Sequence, residues 1–194
     1  MTPTNPTRRL VLGAFAGLAL PALALPAHAA NDAPVLREDA RYWQRERRLR
    51  LVRSETGQAC NALYWSNGQY LTEGYREACI VLRDVRANQA VQMDPGLLDT
   101  LYGIQGYLNA FGWSRALVIT SGYRSAATNA RLADEGAAKN SMHLYGKAAD
   151  ITLPGLSAKH LGQVAKYFQQ GGVGFYTSRN FVHVDTGRIR SWGS

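Results

Sequence analysis

Residues 119–150 read ITSGYRSAATNARLADEGAAKNSMHLYGKAAD, and the second half carries the spacing Ser141-x-His143-x-x-Gly146-x-Ala148-x-Asp150. His143 and Asp150 offer one neutral nitrogen and one anionic oxygen, seven residues apart. Both are good ligands for first-row metals, and the mixture suits zinc better than magnesium or calcium. A third donor, His183, follows in Phe181-Val182-His183-Val184-Asp185. Two histidines and one aspartate leave the fourth position of a tetrahedral zinc open to water. That open position separates a catalytic zinc site from a structural one.

Strand alternation explains how the motifs can meet. Lys147–Leu153 reads as a strand with Ala148, Asp150 and Thr152 on one face and Ala149, Ile151 and Leu153 on the other. Phe181–Asp185 reads the same way: His183 and Asp185 share a face, opposite Val182 and Val184. If the two strands are neighbours, Asp150 and His183 converge. His143 then arrives from the loop just upstream, with Gly146 permitting a sharp approach. Taken singly, each residue has a plainer reading. A lone histidine is more often a hydrogen-bonded structural residue, and a lone aspartate an edge or turn charge. The metal reading rests on the whole constellation of motifs rather than on any single one. His160 falls on a helix and reads as a surface residue.

Together with Ser121-Gly122-Tyr123-Arg124-Ser125, these motifs resemble the D-Ala-D-Ala metallopeptidases, a superfamily that includes the lysostaphin and hedgehog folds. Gly171-Gly172-Val173-Gly174-Phe175-Tyr176 and Phe181-Val182-His183-Val184-Asp185-Thr186-Gly187 resemble its murein endopeptidase K branch, from Gram-negative bacteria. The likeness covers roughly Leu49 to Trp192. It implies one zinc ion held by His143, Asp150 and His183, and a catalytic role for Arg124 at the substrate carbonyl and the developing oxyanion. A fixed cation beside a tetrahedral intermediate stabilises the charge that forms there. The alternative for Arg124 is a structural salt bridge.

The general base departs from the pattern. Carboxypeptidases of the superfamily place a Glu or Asp three residues before the last zinc histidine, and here that position is Asn180, which cannot take a proton. Asp185 is the nearest acid. It can accept the proton of zinc-bound water or orient a ligand from behind; the sequence leaves both open. The expected activity is hydrolysis of peptide cross-links in murein. The rivals are a carboxypeptidase acting on stem peptides and a non-catalytic, zinc-stabilised murein-binding module.

The remaining chain reads as a scaffold. Arg48–Arg53 and Gln58–Trp65 read as strands, with Asn67-Gly68 a hairpin signal. Tyr75, Cys79, Leu82 and Val85 fall near helical spacing. Asp94-Pro95 opens a helix whose apolar face is Leu97, Leu98, Leu101, Ile104 and Leu108. Leu117–Thr120 is a strand, Ser125 caps a helix running to Glu135, and Ser157 caps a helix ended by Gly171-Gly172. Val173–Tyr176 and Phe181–Asp185 form a last hairpin. The predicted class is α+β, a small antiparallel sheet flanked by helices.

Residues 1–29 read as a cleaved signal. Arg8-Arg9 precede the apolar run Leu10–Leu25, and Ala27-His28-Ala29 supplies a cleavage site. The twin arginine resembles an export signal for folded proteins, which places the chain in the periplasm. Pro21 and Pro26 break a run already short for a membrane span. Residues 30–47 read as a linker or a loosely docked helix, and 48–194 as one domain. The formal charge of +8 falls to +6 when Arg8 and Arg9 are removed with no acid lost. A basic surface suits an anionic polymer, here peptidoglycan stem peptides. No aromatic-basic pattern points to nucleic acid. Cys60 and Cys79 can pair in an oxidising compartment or stay as buried thiols.

Overall fold

A computed structural model describes residues 39–193; the signal reading and the expected linker up to residue 38 lie outside them. The chain runs through a single-turn helix α1 (Ala40–Trp43), strands β1 (Arg47–Arg53), β2 (Ala59–Ser66) and β3 (Gln69–Tyr70), and helices α2 (Thr72–Val81) and α3 (Pro95–Ala110). Then come β4 (Leu117–Ser121), α4 (Ala126–Arg131), β5 (Ala148–Thr152) and α5 (Ala158–Phe168), followed by β6 (Gly172–Tyr176), β7 (Phe181–Asp185) and β8 (Arg190–Gly193). Helices flank one sheet, in the α+β class.

The sheet is larger than the small antiparallel one expected, and it is mixed. Eight strands lie in the order β3-β2-β1-β4-β5-β7-β6-β8. The β1–β4 and β6–β8 contacts are parallel and the other pairings are antiparallel. The direction reverses between β6 and β7 and again before β8, so β8 runs parallel to β6. Arg190–Gly193 has no hydrophobic alternation, which is why its strand escapes a pattern search.

Local chemistry sets the helix ends. Asp94 accepts the Gly96 N–H at 2.8 Å and Pro95 occupies the first turn of α3. The Ser125 hydroxyl accepts the Thr128 N–H at the start of α4, and Ser157 accepts the His160 N–H at the start of α5. Two helices are shorter than predicted. α4 stops at Arg131, and a separate 3-10 turn, Ala133–Glu135, leads to Gly136. α5 stops at Phe168 with Gln169 left-handed, so Gly172 opens a strand instead of ending a helix.

The core lies on the face of the sheet bearing Leu49, Leu51, Ala149, Ile151, Val182 and Val184, all essentially buried. α3 and α5 pack against each other over that sheet. Cys60 and Cys79 are free thiols; the Cys60 Sγ faces the Leu49 carbonyl, and the Cys79 Sγ accepts the Met93 N–H.

Ahead of β1, α1 sits on α3. Tyr42 is 7% exposed, stacks on Tyr102 at 4.9 Å, and donates its hydroxyl to the Tyr102 carbonyl at 3.1 Å. Arg47 pairs with Asp99 of α3 at 2.8 Å, with its guanidinium 4.1 Å from the Trp65 ring centre. We predict that Tyr42→Ala loses about 3 kcal/mol of stability, the order seen for large aromatic truncations. Urea unfolding should show a lower midpoint at unchanged m value.

Candidate metal centre

The site is built by register across the sheet. Asp150 on β5 pairs with His183 on β7, and His183 pairs with Gly174 on β6, which lies beside Trp192 on β8. Ser121 of β4 pairs with Asp150 on the other side. The row therefore runs Ser121, Asp150, His183, Gly174, Trp192 on the face opposite the core. His143 joins from a 3-10 turn, Met142–Tyr145, immediately before β5. The Ser141 hydroxyl accepts the His143 N–H at the start of that turn. Gly146 ends it at φ +65°, a conformation that suits glycine. This is the structural content of the Ser-x-His-x-x-Gly spacing.

His143 Nε2, His183 Nδ1 and Asp150 Oδ1 form a triangle. Its edges are 3.2 Å between the histidines, 3.2 Å from His143 to Asp150, and 2.9 Å from His183 to Asp150. An ion bound tetrahedrally at about 2.0–2.1 Å holds its donors about 3.3 Å apart, so the triangle has the size of one tetrahedral face. All three residues are buried in the body of the fold and line one cleft of about 640 Å³.

The tautomers are dictated by the far side of each ring. His143 Nδ1 lies 2.6 Å from the Gly122 carbonyl, which can only accept, so Nδ1 carries the proton and Nε2 is bare. His183 Nε2 lies 2.9 Å from Asp185 Oδ2, so Nε2 carries the proton and Nδ1 is bare. Two bare nitrogens and a carboxylate thus point at one spot. Lone pairs repel, and a cation at that spot satisfies all three. The titration directions follow from the same contacts. Burial holds His143 below the ordinary histidine range. Burial also disfavours charge on His183, but its bonds to Asp150 and Asp185 outweigh that and raise it. Burial disfavours charge on Asp150 too, yet the two histidines hold its carboxyl well below the usual range.

Asp185 stands behind His183, away from the triangle. Its Oδ2 takes the His183 Nε2–H at 2.9 Å and Arg190 at 2.7 Å. Its Oδ1 takes the Gly172 and Gly187 N–H groups at 3.0 and 2.8 Å and Arg190 again at 3.0 Å. Burial disfavours charge on Asp185, but five donors saturate the carboxylate and hold its pKa well below the usual carboxylate range. Of the two roles left open by the sequence, this geometry fits orientation, since no lone pair remains for a water proton.

Arg124 contacts the third donor. Its NH2 group meets Asp150 Oδ2 at 2.6 Å and its Nε–H donates to Ser121 Oγ at 2.8 Å. Asp150 thus divides its oxygens, one to the triangle and one to the arginine. The backbone there is pinned: Tyr123 N–H bonds the Leu82 carbonyl, Arg124 N–H bonds the His143 carbonyl, and Ser125 N–H bonds the Asp84 carboxylate at 2.8 Å. Asn180 is exposed, and its Oδ1 accepts the Ala158 N–H at the start of α5. His160 is exposed, far from any role in the triangle.

Comparison with known proteins follows this geometry. A family model described as peptidoglycan L,D-endopeptidase MepK matches residues 41–192. The chain belongs to this family. The peptidoglycan L,D-endopeptidase MepK of Escherichia coli (strain K12) is 36% identical over 196 residues, covering 99% of this chain and all of that protein. The MepK of Shigella flexneri matches to the same extent. The probable peptidoglycan L,D-endopeptidase MepK of Haemophilus influenzae is 40% identical over 132 residues, 63% of this chain and 68% of that one.

Within this member of the MepK family, the residues that sequence reasoning missed are those of β8 and the strand beside it. Arg190 clamps Asp185, and Trp192 lies 5.3 Å from His183, ring centre to ring centre. Both reach across β6 over glycines. A Cβ on Gly172 would stand 2.3 Å from Arg190, and one on Gly174 would stand 2.7 Å from the Trp192 ring. The visible signal was Gly172-x-Gly174, two glycines on one strand face. Asp84 left no signal at all.

We predict that His143→Ala, Asp150→Ala and His183→Ala each strip bound metal, by elemental analysis, while His160→Ala does not. Asp185→Asn should weaken metal affinity about 10–100-fold, with excess metal restoring most of the lost occupancy. Full metal affinity in Asp185→Asn would remove its orienting role.

Proposed function

We propose that this chain is a zinc-dependent endopeptidase that hydrolyses L,D peptide cross-links of peptidoglycan in the periplasm. The observation that carries the reading is the convergence of His143, Asp150 and His183 on one point in the wall of an open cleft. Two imidazoles and a carboxylate suit zinc over magnesium or calcium, which select oxygen donors. Bound there, zinc supplies a water of pKa about 7 and a Lewis acid for the scissile carbonyl.

The protein's own residues then have distinct tasks. The Gly122 carbonyl and Asp185 fix which nitrogen each histidine presents. Arg190 holds Asp185 ionised and in place. Arg124, braced by Ser121 and Asp150, supplies a cation beside the reacting carbonyl, where oxyanion charge develops. Residues 1–29 serve as a twin-arginine signal ahead of the zinc peptidase domain. The basic charge favours an anionic wall polymer.

Two features favour an endopeptidase over the rivals. Asn180, at the position where the carboxypeptidases of the superfamily keep an acid, is spent on capping α5. A purely stabilising zinc is closed by four protein ligands, whereas His143, Asp150 and His183 are three donors facing an open cleft. The test is mass spectrometry of murein sacculi after incubation with zinc-loaded protein. We expect loss of L,D-cross-linked dimers, no trimming of uncross-linked pentapeptides, and no product after chelation. Arg124→Gln should keep its zinc and lose about 10²–10³-fold in kcat, the usual loss for one oxyanion donor. Trimmed monomers with intact dimers would establish a carboxypeptidase; bound but unaltered murein would establish a binding module.

A further inference from the structure

The cleft carries four arginines, Arg86, Arg124, Arg179 and Arg190. Three have carboxylate partners: Arg124 with Asp150 at 2.6 Å, Arg190 with Asp185 at 2.7 Å, and Arg86 loosely with Glu55 at 3.9 Å. Among the described residues, Arg179 has none. It ends the 3-10 turn Thr177–Arg179 that joins β6 to β7.

Arg179 differs from an ordinary solvated arginine in being held. Its guanidinium carbon lies 4.9 Å from the Tyr176 ring centre and 5.0 Å from that of Phe181. Those two rings stack on one another at 4.4 Å with planes 13° apart. The Tyr176 hydroxyl accepts the Trp192 indole N–H at 3.2 Å, tying the aromatic pair to the indole beside His183. The turn itself is anchored, because Asn180 is left-handed and its side chain bonds the first amide of α5. A guanidinium positioned before a ligand arrives loses little freedom on binding.

Its position relates it to the metal centre. Phe181 and His183 are two residues apart on one face of β7, which sets them about 7 Å apart along the strand. An extended peptide advances about 3.3–3.6 Å per residue, so Phe181, against which Arg179 lies, stands about two substrate residues from the reacting bond.

We propose that Arg179, braced on Tyr176 and Phe181, is a carboxylate-binding subsite that selects an acidic group on the substrate a few residues from the scissile bond. This rests on the peptidase reading above and adds a specificity residue to it. The bound group is a carboxylate, whether a side-chain carboxylate of the cross-linked peptide or the free C-terminus of one stem. A planar guanidinium accepts either as a two-point ion pair.

The test uses zinc-loaded wild type, Arg179→Gln and Arg179→Lys with three forms of one cross-linked muropeptide: free acid, side-chain amide and C-terminal amide. On the free acid, Arg179→Gln should raise KM about 10–100-fold, the range for hydrogen bonds to a charged group, with kcat changed less than twofold. Arg179→Lys keeps the charge without the fork and should fall between. On the amide that removes the contacted carboxylate, wild type and Arg179→Gln should have equal KM. Which amide erases the difference identifies the source. Equal KM for wild type and Arg179→Gln on the free acid overturns the subsite. The same comparison by calorimetry on metal-free protein, where nothing is cleaved, separates the two claims. If wild type hydrolyses no muropeptide, the peptidase reading fails, and the subsite then stands or falls on whether Arg179→Gln loses affinity for the free acid.

Discussion

Two bare imidazole nitrogens and one carboxylate oxygen, each about 3 Å from the others, cannot share a buried point without a positive charge between them. Most of the surrounding structure serves this constraint. The Gly122 carbonyl and the Asp185 carboxylate sit behind the rings and leave each histidine one possible tautomer. Arg124 neutralises the outer oxygen of Asp150, so the inner one faces the triangle alone. A site built this way is organised before the ion arrives, and binding energy is not spent on turning rings.

The sheet makes that organisation inexpensive in sequence. Asp150 and His183 are directly paired across β5 and β7, so backbone hydrogen bonds already place two of the three donors. The same alternation puts Val182 and Val184 into the core behind them, so packing that stabilises the fold also fixes the site. Gly172 and Gly174 leave β6 bare on the site face, and Arg190 and Trp192 fill the vacated space from β8. The presentation of His183 thus depends on β8, the last of the described strands, through Arg190 and Asp185 in turn.

Much of this was legible in the sequence, for physical reasons. The convergence of Asp150 and His183 was legible in strand alternation, His143 came in with the motif resemblance, and α3 was legible because Asp94-Pro95 is a local signal independent of tertiary context. The class followed from the order of strands and helices. What stayed hidden was set by partners distant in sequence or by backbone amides. Nothing near Asp185 in the chain says that the Gly172 amide and the Arg190 side chain will occupy its lone pairs. β8 lacks alternation because one neighbour supports it and its side chains serve the site rather than the core. Asn180, read from sequence only as a missing acid, turns out to hold α5 to the hairpin.

The most direct measurement is a crystal structure of zinc-loaded protein with anomalous data at the zinc absorption edge. The account predicts a single strong peak bound by Nε2 of His143, Nδ1 of His183 and one oxygen of Asp150, at about 2.0–2.1 Å. Asp185 should remain on His183 Nε2 and outside the ion's coordination. A zinc ligated through His183 Nε2, or by Asp185 directly, would contradict it.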